Sequence, residues 1–446
     1  MSLPPAFAAS ALYDNLLQGA LRQFLGRATF ETEPIPSLSS DGRLAIEPTN
    51  DPSTLSLRWF GSRHLLHVPV RRPFTEHEVR LARAIGAVLA ARYRAIFDPK
   101  QMLDRGDLFR GAIEDRYIGA FLDPEPNSAE NRSDLVATAI EVLRVAALSS
   151  YENRSISSGV LLLEGEKDPI RGHVTVGGNE YRYSQALTGI KSFYRLCDGL
   201  RTLFVVGSTG AVLDIVEVGR YATEGTLAVP CSVTYRPHAL ATLGSRNISI
   251  VLSPSHEIKV FAEGAQVFSF RNARWHLLDI QAKYDLWAEA VGNRELAERL
   301  FQTALDLADS REGALFVVLR DAAASLPVLV APGDQLEAMR NVAGEVPSRA
   351  QLMHVLRGRT AVGLDPAVLE GLARTDGATV MDNTGRLLAV GAILLHTEPP
   401  EPHSNLAVEG ARTTAAMAAG RYGAVLKVSE DGLITFYDHQ ERIWDI

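Results

Sequence analysis

The chain has 446 residues, of which 46% are hydrophobic and 22% charged, with a formal net charge of −8. At about 100–200 residues per domain this predicts roughly three domains with ample apolar surface, and it excludes wholesale disorder and a small disulfide-stapled scaffold. The acidic balance speaks against a protein that lives on nucleic acid, which needs a basic surface. Six of the 45 basic residues are lysine (Lys100, Lys167, Lys191, Lys259, Lys283 and Lys427), and none lies in a G-x-x-x-x-G-K-[ST] loop, so a P-loop NTPase is excluded. Cys197 and Cys231 form no C-x-x-C pair and read as two reduced, buried thiols. The first residues lack a basic n-region and a long apolar core, and no apolar run approaches the ~18 residues of a membrane span. A soluble, cytoplasmic protein without membrane contact is expected.

In chain order, Leu12, Leu16, Leu17, Leu21, Phe24 and Leu25 predict a helix with one buried face. Strands follow at Leu55–Phe60 and Leu65–Val70. His64 and His67 read as part of a strand with solvated positive charge rather than a metal site, because no further ligands stand nearby. Thr75 with Glu78 three residues on is a capping-box pattern, and it opens a helix to about Phe97. Two strands followed by this helix resemble the end of a GAF-type sensor fold. Asp123–Ser133 is polar and reads as a linker, and Asp134–Leu148 as a helix.

Six β-rich segments between Val160 and Phe270 predict a mainly β domain. Within it, Gly207-Ser208-Thr209-Gly210 superficially suggests a phosphate-cradling turn. The residues after it are β-like, so a hairpin turn is the better reading. Trp275, Tyr284 and Trp287 are spaced as for a packed helix and are read as core rather than as a base-stacking platform. The resulting division is an α+β sensor-like domain over 1–122, a mainly β regulatory domain over 123–283, and an α/β domain over 284–446 with a mixed central sheet flanked by helices.

The last part carries the chemistry. A helix is predicted over Tyr284–Ala308, then a buried strand entered through Gly313, a short strand at Val328–Val330, and an acidic helix start at Asp334. The helix Val368–Thr375 leads into Asp376-Gly377-Ala378. An apolar strand spans Leu387–Leu394, a helix Arg412–Ala419, and an antiparallel pair runs on either side of Ser429–Gly432. His396, His403, Glu398 and Glu401 share a Pro-rich loop and read as ordinary polar loop residues rather than metal ligands.

Four segments in this order carry a resemblance: Gly313–Val318 (GALFVV), Asp376–Leu394 (DGATVMDNTGRLLAVGAIL), Gly410–Thr413 (GART) and Val428–Gly432 (VSEDG). Together they resemble the diadenylate cyclase domain, the nucleotide-binding domain of the DNA integrity scanning protein family, over roughly residues 285–446. The resemblance implies a head-to-head pair of domains, each holding one ATP, which together form cyclic di-AMP and two pyrophosphates with Mg²⁺ or Mn²⁺. It implies that Asp376 binds the metal and helps deprotonate the attacking hydroxyl, with Glu430 as a second metal ligand. It places Gly377 and Ala378 close to ribose and phosphates, Leu394 and Leu395 at the adenine, and Gly410, Arg412, Thr413, Thr414, Ser429 and Glu430 at the triphosphate.

Where the family has G-T-R-H-R, this chain has Gly410-Ala411-Arg412-Thr413-Thr414. Arg412 remains, while Ala411, Thr413 and Thr414 replace a threonine and two basic residues. A catalytically degenerate nucleotide-binding module is therefore the alternative reading. No helix-hairpin-helix module follows the last motif, so no DNA binding is expected. The expected partners are ATP or a cyclic dinucleotide and a second copy of the chain, with residues 1–283 regulating the output domain.

Overall fold

The computed structural model describes residues 5–26, 28–35, 44–68, 72–97, 106–123, 132–151, 154–165, 181–190, 192–337, 353–395 and 410–446. The chain divides into two compact units, Met1–Leu227 with Pro237–Asp279, and Ala228–Arg236 with Ile280–Ile446. The fold is mixed α/β, with sheets of four, seven and six strands and a small hairpin. Among the described residues, no helix is long and apolar enough to cross a membrane.

The first unit opens with α1 (Pro5–Leu25), followed by β1 (Thr29–Pro34), β2 (Ala45–Pro48), β3 (Thr54–Trp59) and β4 (Ser62–His67). These strands form an antiparallel sheet in the order β1-β4-β3-β2. The buried face of α1 is Tyr13, Leu17, Leu21 and Phe24, while Leu12 and Leu16 of the expected stripe are 57% and 40% exposed. Aromatic packing selects this face: the Tyr13 ring meets Trp59 at 6.1 Å and Tyr93 at 5.3 Å, both edge-on. His64 also departs from expectation. It is fully buried, its Nε2 lies 3.1 Å from Asp14 Oδ1 and its Nδ1 3.0 Å from Thr32 Oγ1. A polar ring at that depth needs partners, and α1 and β1 supply them.

α2 (Glu76–Phe97) starts at the predicted capping box, in which Glu78 N–H donates to Thr75 Oγ1 and Thr75 N–H to Glu78 Oε2. α3 (Ile113–Leu122) and α4 (Arg132–Ala147) follow, and most of the polar stretch between them lies outside the described residues. After the hairpin β5 (Ser150–Tyr151) and β6 (Arg154–Ser155) come β7 (Ser158–Leu162), α5 (Phe193–Leu196), β8 (Thr202–Val206) and β9 (Val212–Glu217). Next are α6 (Arg236–Thr242), β10 (Ile248–Leu252), β11 (Ile258–Ala262), β12 (Ala265–Arg271) and β13 (Arg274–Leu277). The seven strands run β13-β12-β11-β10-β7-β8-β9, parallel only between β7 and β8. The Gly207–Gly210 segment is the β8–β9 hairpin turn, with Gly210 at φ 84°.

One core runs from Tyr13 to Leu277, across position 122. Trp275 belongs to it, on strand β13 rather than on a helix, and its indole N–H donates to Asp115 Oδ1 at 2.9 Å. Asp115 also receives Arg144 through two bonds of 2.9 and 2.7 Å, and Arg144 lies 4.0 Å over the Phe270 ring. Burial pushes the Asp115 carboxyl above its ordinary range, and Arg144 pulls it back.

The second unit contains α7 (Ile280–Val291), α8 (Arg294–Asp309), β14 (Ala314–Leu319), α9 (Ala322–Leu329), α10 (Pro366–Ala373), β15 (Ala378–Asp382), β16 (Leu387–Ala392), α11 (Ala411–Ala419), β17 (Gly423–Val428), β18 (Ile434–Asp438) and β19 (Glu441–Asp445). The single helix expected over Tyr284–Ala308 is two. Gly292, at φ 70°, ends α7, and the Asn293 side chain caps α8 by accepting from Leu296 N–H. The expected strand at Val328–Val330 is instead the last turn of α9 and one bridge from Val330 to Leu394. The Asp321 side chain starts that helix by accepting from Ala324 N–H. Asp334 closes a 3₁₀ turn, and residues 338–352, over which the expected helix would continue, lie outside the described residues.

The sheet order is β16-β15-β14-β17-β18-β19, parallel between β14 and β15 and antiparallel elsewhere. Every residue of β14, β16 and β17 is buried, as both faces are covered. The row Phe316–Leu426–Phe436 shares one face, where Trp287 of α7 meets Phe436 at 5.4 Å. The row Val317–Val425–Tyr437 shares the other, with Ala416 and Ala419 of α11. Each large side chain buried this way contributes about 1.5–3 kcal/mol.

Arg144→Ala leaves the buried Asp115 carboxylate without its cation. We expect a loss of about 3 kcal/mol in the unfolding free energy of the first unit, measured by urea denaturation. A loss below about 1 kcal/mol contradicts this role.

Candidate functional site

The register of the six-stranded sheet decides which loops meet. Ala314, the first residue of β14, pairs with Val428, the last residue of β17. Phe316 pairs with Thr379 in parallel, so the start of β15 is level with the start of β14. Ala378, the first residue of β15, pairs with Ala392, the last of β16. Gly313, Asp376–Gly377, Leu394 and Ser429–Glu430 therefore all emerge at one end of the sheet.

α11 adds its N-terminus to that end. Arg412 Nη1 lies 3.6 Å from Glu430 Oε1. The guanidinium also rests against Gly313, where an added Cβ would stand 2.0 Å from Nη1. The backbone N–H groups of Thr413 and Thr414 bond back to Gly410 O, which closes the first turn. Each sequence-predicted segment thus reaches the same rim from a different element. Sequence reasoning missed Lys427: it is buried on β17, 8% exposed, and its Nζ donates to Thr413 Oγ1 at 2.9 Å. A lysine within a strand of otherwise apolar residues was the available signal.

The Asp376-Gly377-Ala378 turn is built by close backbone approach. Gly377 has φ 106°, and a Cβ there would lie 2.5 Å from Gly391 C and 2.7 Å from Ala392 O. Only glycine permits both. The turn packs on the end of β16, which is followed by Ile393, exposed, Leu394, buried, and Leu395, which is 44% exposed and donates its N–H to Leu329 O. Asp376 itself is exposed, and Ala378 is fully buried.

β14 lies between β15 and β17, so Asp376 and Ser429–Glu430 extend from strands that are two spacings, about 10 Å, apart. Among the described residues no group of three His, Cys, Asp or Glu is gathered for a metal ion. Asp376 still fits Mg²⁺ or Mn²⁺ as a single hard oxygen donor, since such ions take one or two carboxylates and complete their shell with phosphate and water. Glu430 is 76% exposed and is paired with Arg412. His396, His403, Glu398 and Glu401 lie outside the described residues.

No protein-family profile matches the chain, and no curated protein does. Among solved structures it is similar to a hypothetical membrane spanning protein from Bacillus cereus, at 19% identity over 37% of this chain and 70% of that one, with a TM-score of 0.26. It is also similar to a double mutant of DacA from Staphylococcus aureus, at 17% identity over 33% of this chain and 84% of that one, with a TM-score of 0.21. At these TM-scores neither likeness carries weight for fold or function.

Two glycines at the rim should answer differently to alanine. Gly377→Ala drives a methyl into backbone at a left-handed φ and should destabilise the second unit by roughly 2 kcal/mol or more. Gly313→Ala meets only the end of a flexible side chain. It should leave the melting temperature within about 3 °C and displace Arg412 from Glu430. Equal melting temperatures for the two variants would contradict the rim described here.

Proposed function

We propose that the second unit is a nucleotide-binding domain of the diadenylate cyclase type, which condenses two ATP into cyclic di-AMP with release of two pyrophosphates. The observation that carries this reading is the convergence at one sheet end of the Asp376–Ala378 turn, Leu394, the α11 start and Ser429–Glu430. A nucleotide lying along this rim would reach apolar side chains at one side and cationic and N–H donors at the other. Leu394 and Leu395 offer the apolar side for adenine. The start of α11, with Arg412 and the hydroxyl of Thr414, offers donors for the triphosphate.

In the reaction, the 3′-hydroxyl oxygen of one ATP bonds to the α-phosphorus of the other. The bond from that phosphorus to the β-phosphate bridge breaks, and pyrophosphate leaves. The carboxylate of Asp376, exposed at the strand entrance, accepts the hydroxyl proton. A divalent ion bound at Asp376 would supply charge neutralisation for the phosphates. Arg412, held by Gly313 and Glu430, faces the charge that develops on the leaving group. The chemistry needs two sites face to face, so the working form pairs two copies of the chain. The first unit would regulate that pairing.

A second reading is favoured by one observation. Thr413, which stands where the family has a basic residue, is largely buried and bonded to Lys427, so it does not reach out as a charged donor. On this reading the domain binds a nucleotide, passes on a signal and forms no product.

Incubation of the full chain with ATP and Mn²⁺ or Mg²⁺, followed by chromatography, tests both. Cyclic di-AMP is expected. Asp376→Asn should reduce its rate by about 100-fold or more, because a positioned base contributes about 10²–10⁴. ATP binding without product under any metal supports the second reading. A fully active Asp376→Asn variant overturns the assignment of the base.

A further inference from the structure

A hydroxyl, an imidazole and a carboxylate stand in line in the first unit, where α1 meets the edge of the four-stranded sheet. β1 is an edge strand, and its Thr32 is the register partner of His64 on β4. Thr32 Oγ1 lies 3.0 Å from His64 Nδ1, and the other ring nitrogen, Nε2, lies 3.1 Å from Asp14 Oδ1. Asp14 Oδ2 accepts from the Ser62 hydroxyl at 2.9 Å. Gln18, one turn on from Asp14 along α1, brings Nε2 to 3.2 Å from Thr32 Oγ1 and 3.4 Å from His64 Nδ1. The imidazole is fully buried, whereas Thr32 is exposed.

These partners fix the hydrogen positions. A carboxylate only accepts, so Nε2 carries the ring hydrogen and Nδ1 presents its lone pair. The Thr32 hydroxyl then donates to Nδ1 and keeps an oxygen lone pair for an incoming electrophile. For stability alone, a buried imidazole needs one donor and one acceptor of any kind. Here one partner is an exposed hydroxyl on an edge strand, and the other is a carboxylate held from behind by Ser62. Nucleophile, base and orienting carboxylate in one line of hydrogen bonds is the arrangement that activates a hydroxyl for acyl transfer.

We propose that Thr32 is a self-acylating nucleophile that takes small acyl groups from activated esters, with His64 as its general base and Asp14 as the positioning carboxylate. Thr32 Oγ1 bonds to the ester carbonyl carbon while its proton passes to His64 Nδ1. The bond from that carbon to the leaving oxygen breaks, and the leaving alkoxide takes the proton from Nδ1. The products are acyl-Thr32 and an alcohol, and the imidazole returns to its neutral form. The Gln18 amide places an N–H donor beside the carbonyl oxygen on which charge develops. The step requires no nucleotide and is independent of the reading given for the second unit.

Incubation of the full chain with p-nitrophenyl acetate, followed by digestion and sequencing of the peptides by mass spectrometry, tests this residue by residue. Thr29, exposed on the same strand and outside the relay, is the internal reference. Acetylation at Thr32 should exceed that at Thr29 by about 100-fold or more, because a positioned base contributes about 10²–10⁴. Asp14→Asn no longer holds the Nδ1 lone pair towards Thr32. It should slow acetylation there by about 100-fold and leave Thr29 unchanged. Equal rates at Thr32 and Thr29 overturn the proposal, and this comparison decides in the unmodified chain even if Asp14→Asn fails to fold. An unchanged Thr32 rate in folded Asp14→Asn overturns it as well.

Discussion

β14 runs parallel to β15 and antiparallel to β17, and the rest of the second unit depends on that arrangement. A strand entrance and a strand exit are thereby placed at the same sheet end. In a purely antiparallel sheet, β15 would deliver Asp376 to the end opposite Gly313. Here the entrances of β14 and β15 and the exits of β16 and β17 share one rim. The parallel pair needs a long connection between its strands, and α9 and α10 lie within it. The price of a buried parallel strand is an apolar sequence, and all six residues of β14 are apolar and buried.

Close approach is the second constraint. Gly377 lets the turn before β15 touch the backbone of β16, and Gly313 leaves room for the Arg412 guanidinium at the mouth of β14. Both glycines act at the rim, where backbone and cation must come near one another. Behind the rim, alternating rows of Phe316–Leu426–Phe436 and Val317–Val425–Tyr437 fasten helices to the two faces and hold the strand ends in place. Lys427 interrupts this pattern, and its ammonium binds Thr413 at the first turn of α11.

Much of the fold was legible in the sequence because local rules decide it. The capping box at Thr75 and Glu78, the hairpin at Gly210 and the strands from β14 to β18 follow from period, turn chemistry and apolar runs. What was not legible depends on tertiary partners. Leu12 and Leu16 fit a helical stripe as well as Tyr13 does, but only Tyr13 meets Trp59 and Tyr93. His64 reads as solvated until Asp14, 50 positions away, is seen beside it. Gly292 and Asn293 were a legible break that the long apolar period of α7 and α8 obscured. At the candidate site the segments were readable and their convergence was not, since it requires the strand register. The bonds from Ser232 and Val233 to α8 had no sequence signal, because their partners Asp309 and Asp306 lie more than seventy residues on.

The central claim is that one end of the six-stranded sheet is the nucleotide-binding end. Amide NMR of the labelled full chain, titrated with ATP and Mg²⁺, tests it most directly. Shift changes are expected at 376–378, 392–395, 410–414 and 427–430, with little change at the opposite end, around 320–322, 382–386 and 438–441. Changes confined to the opposite end, or none at saturating ATP, would contradict it.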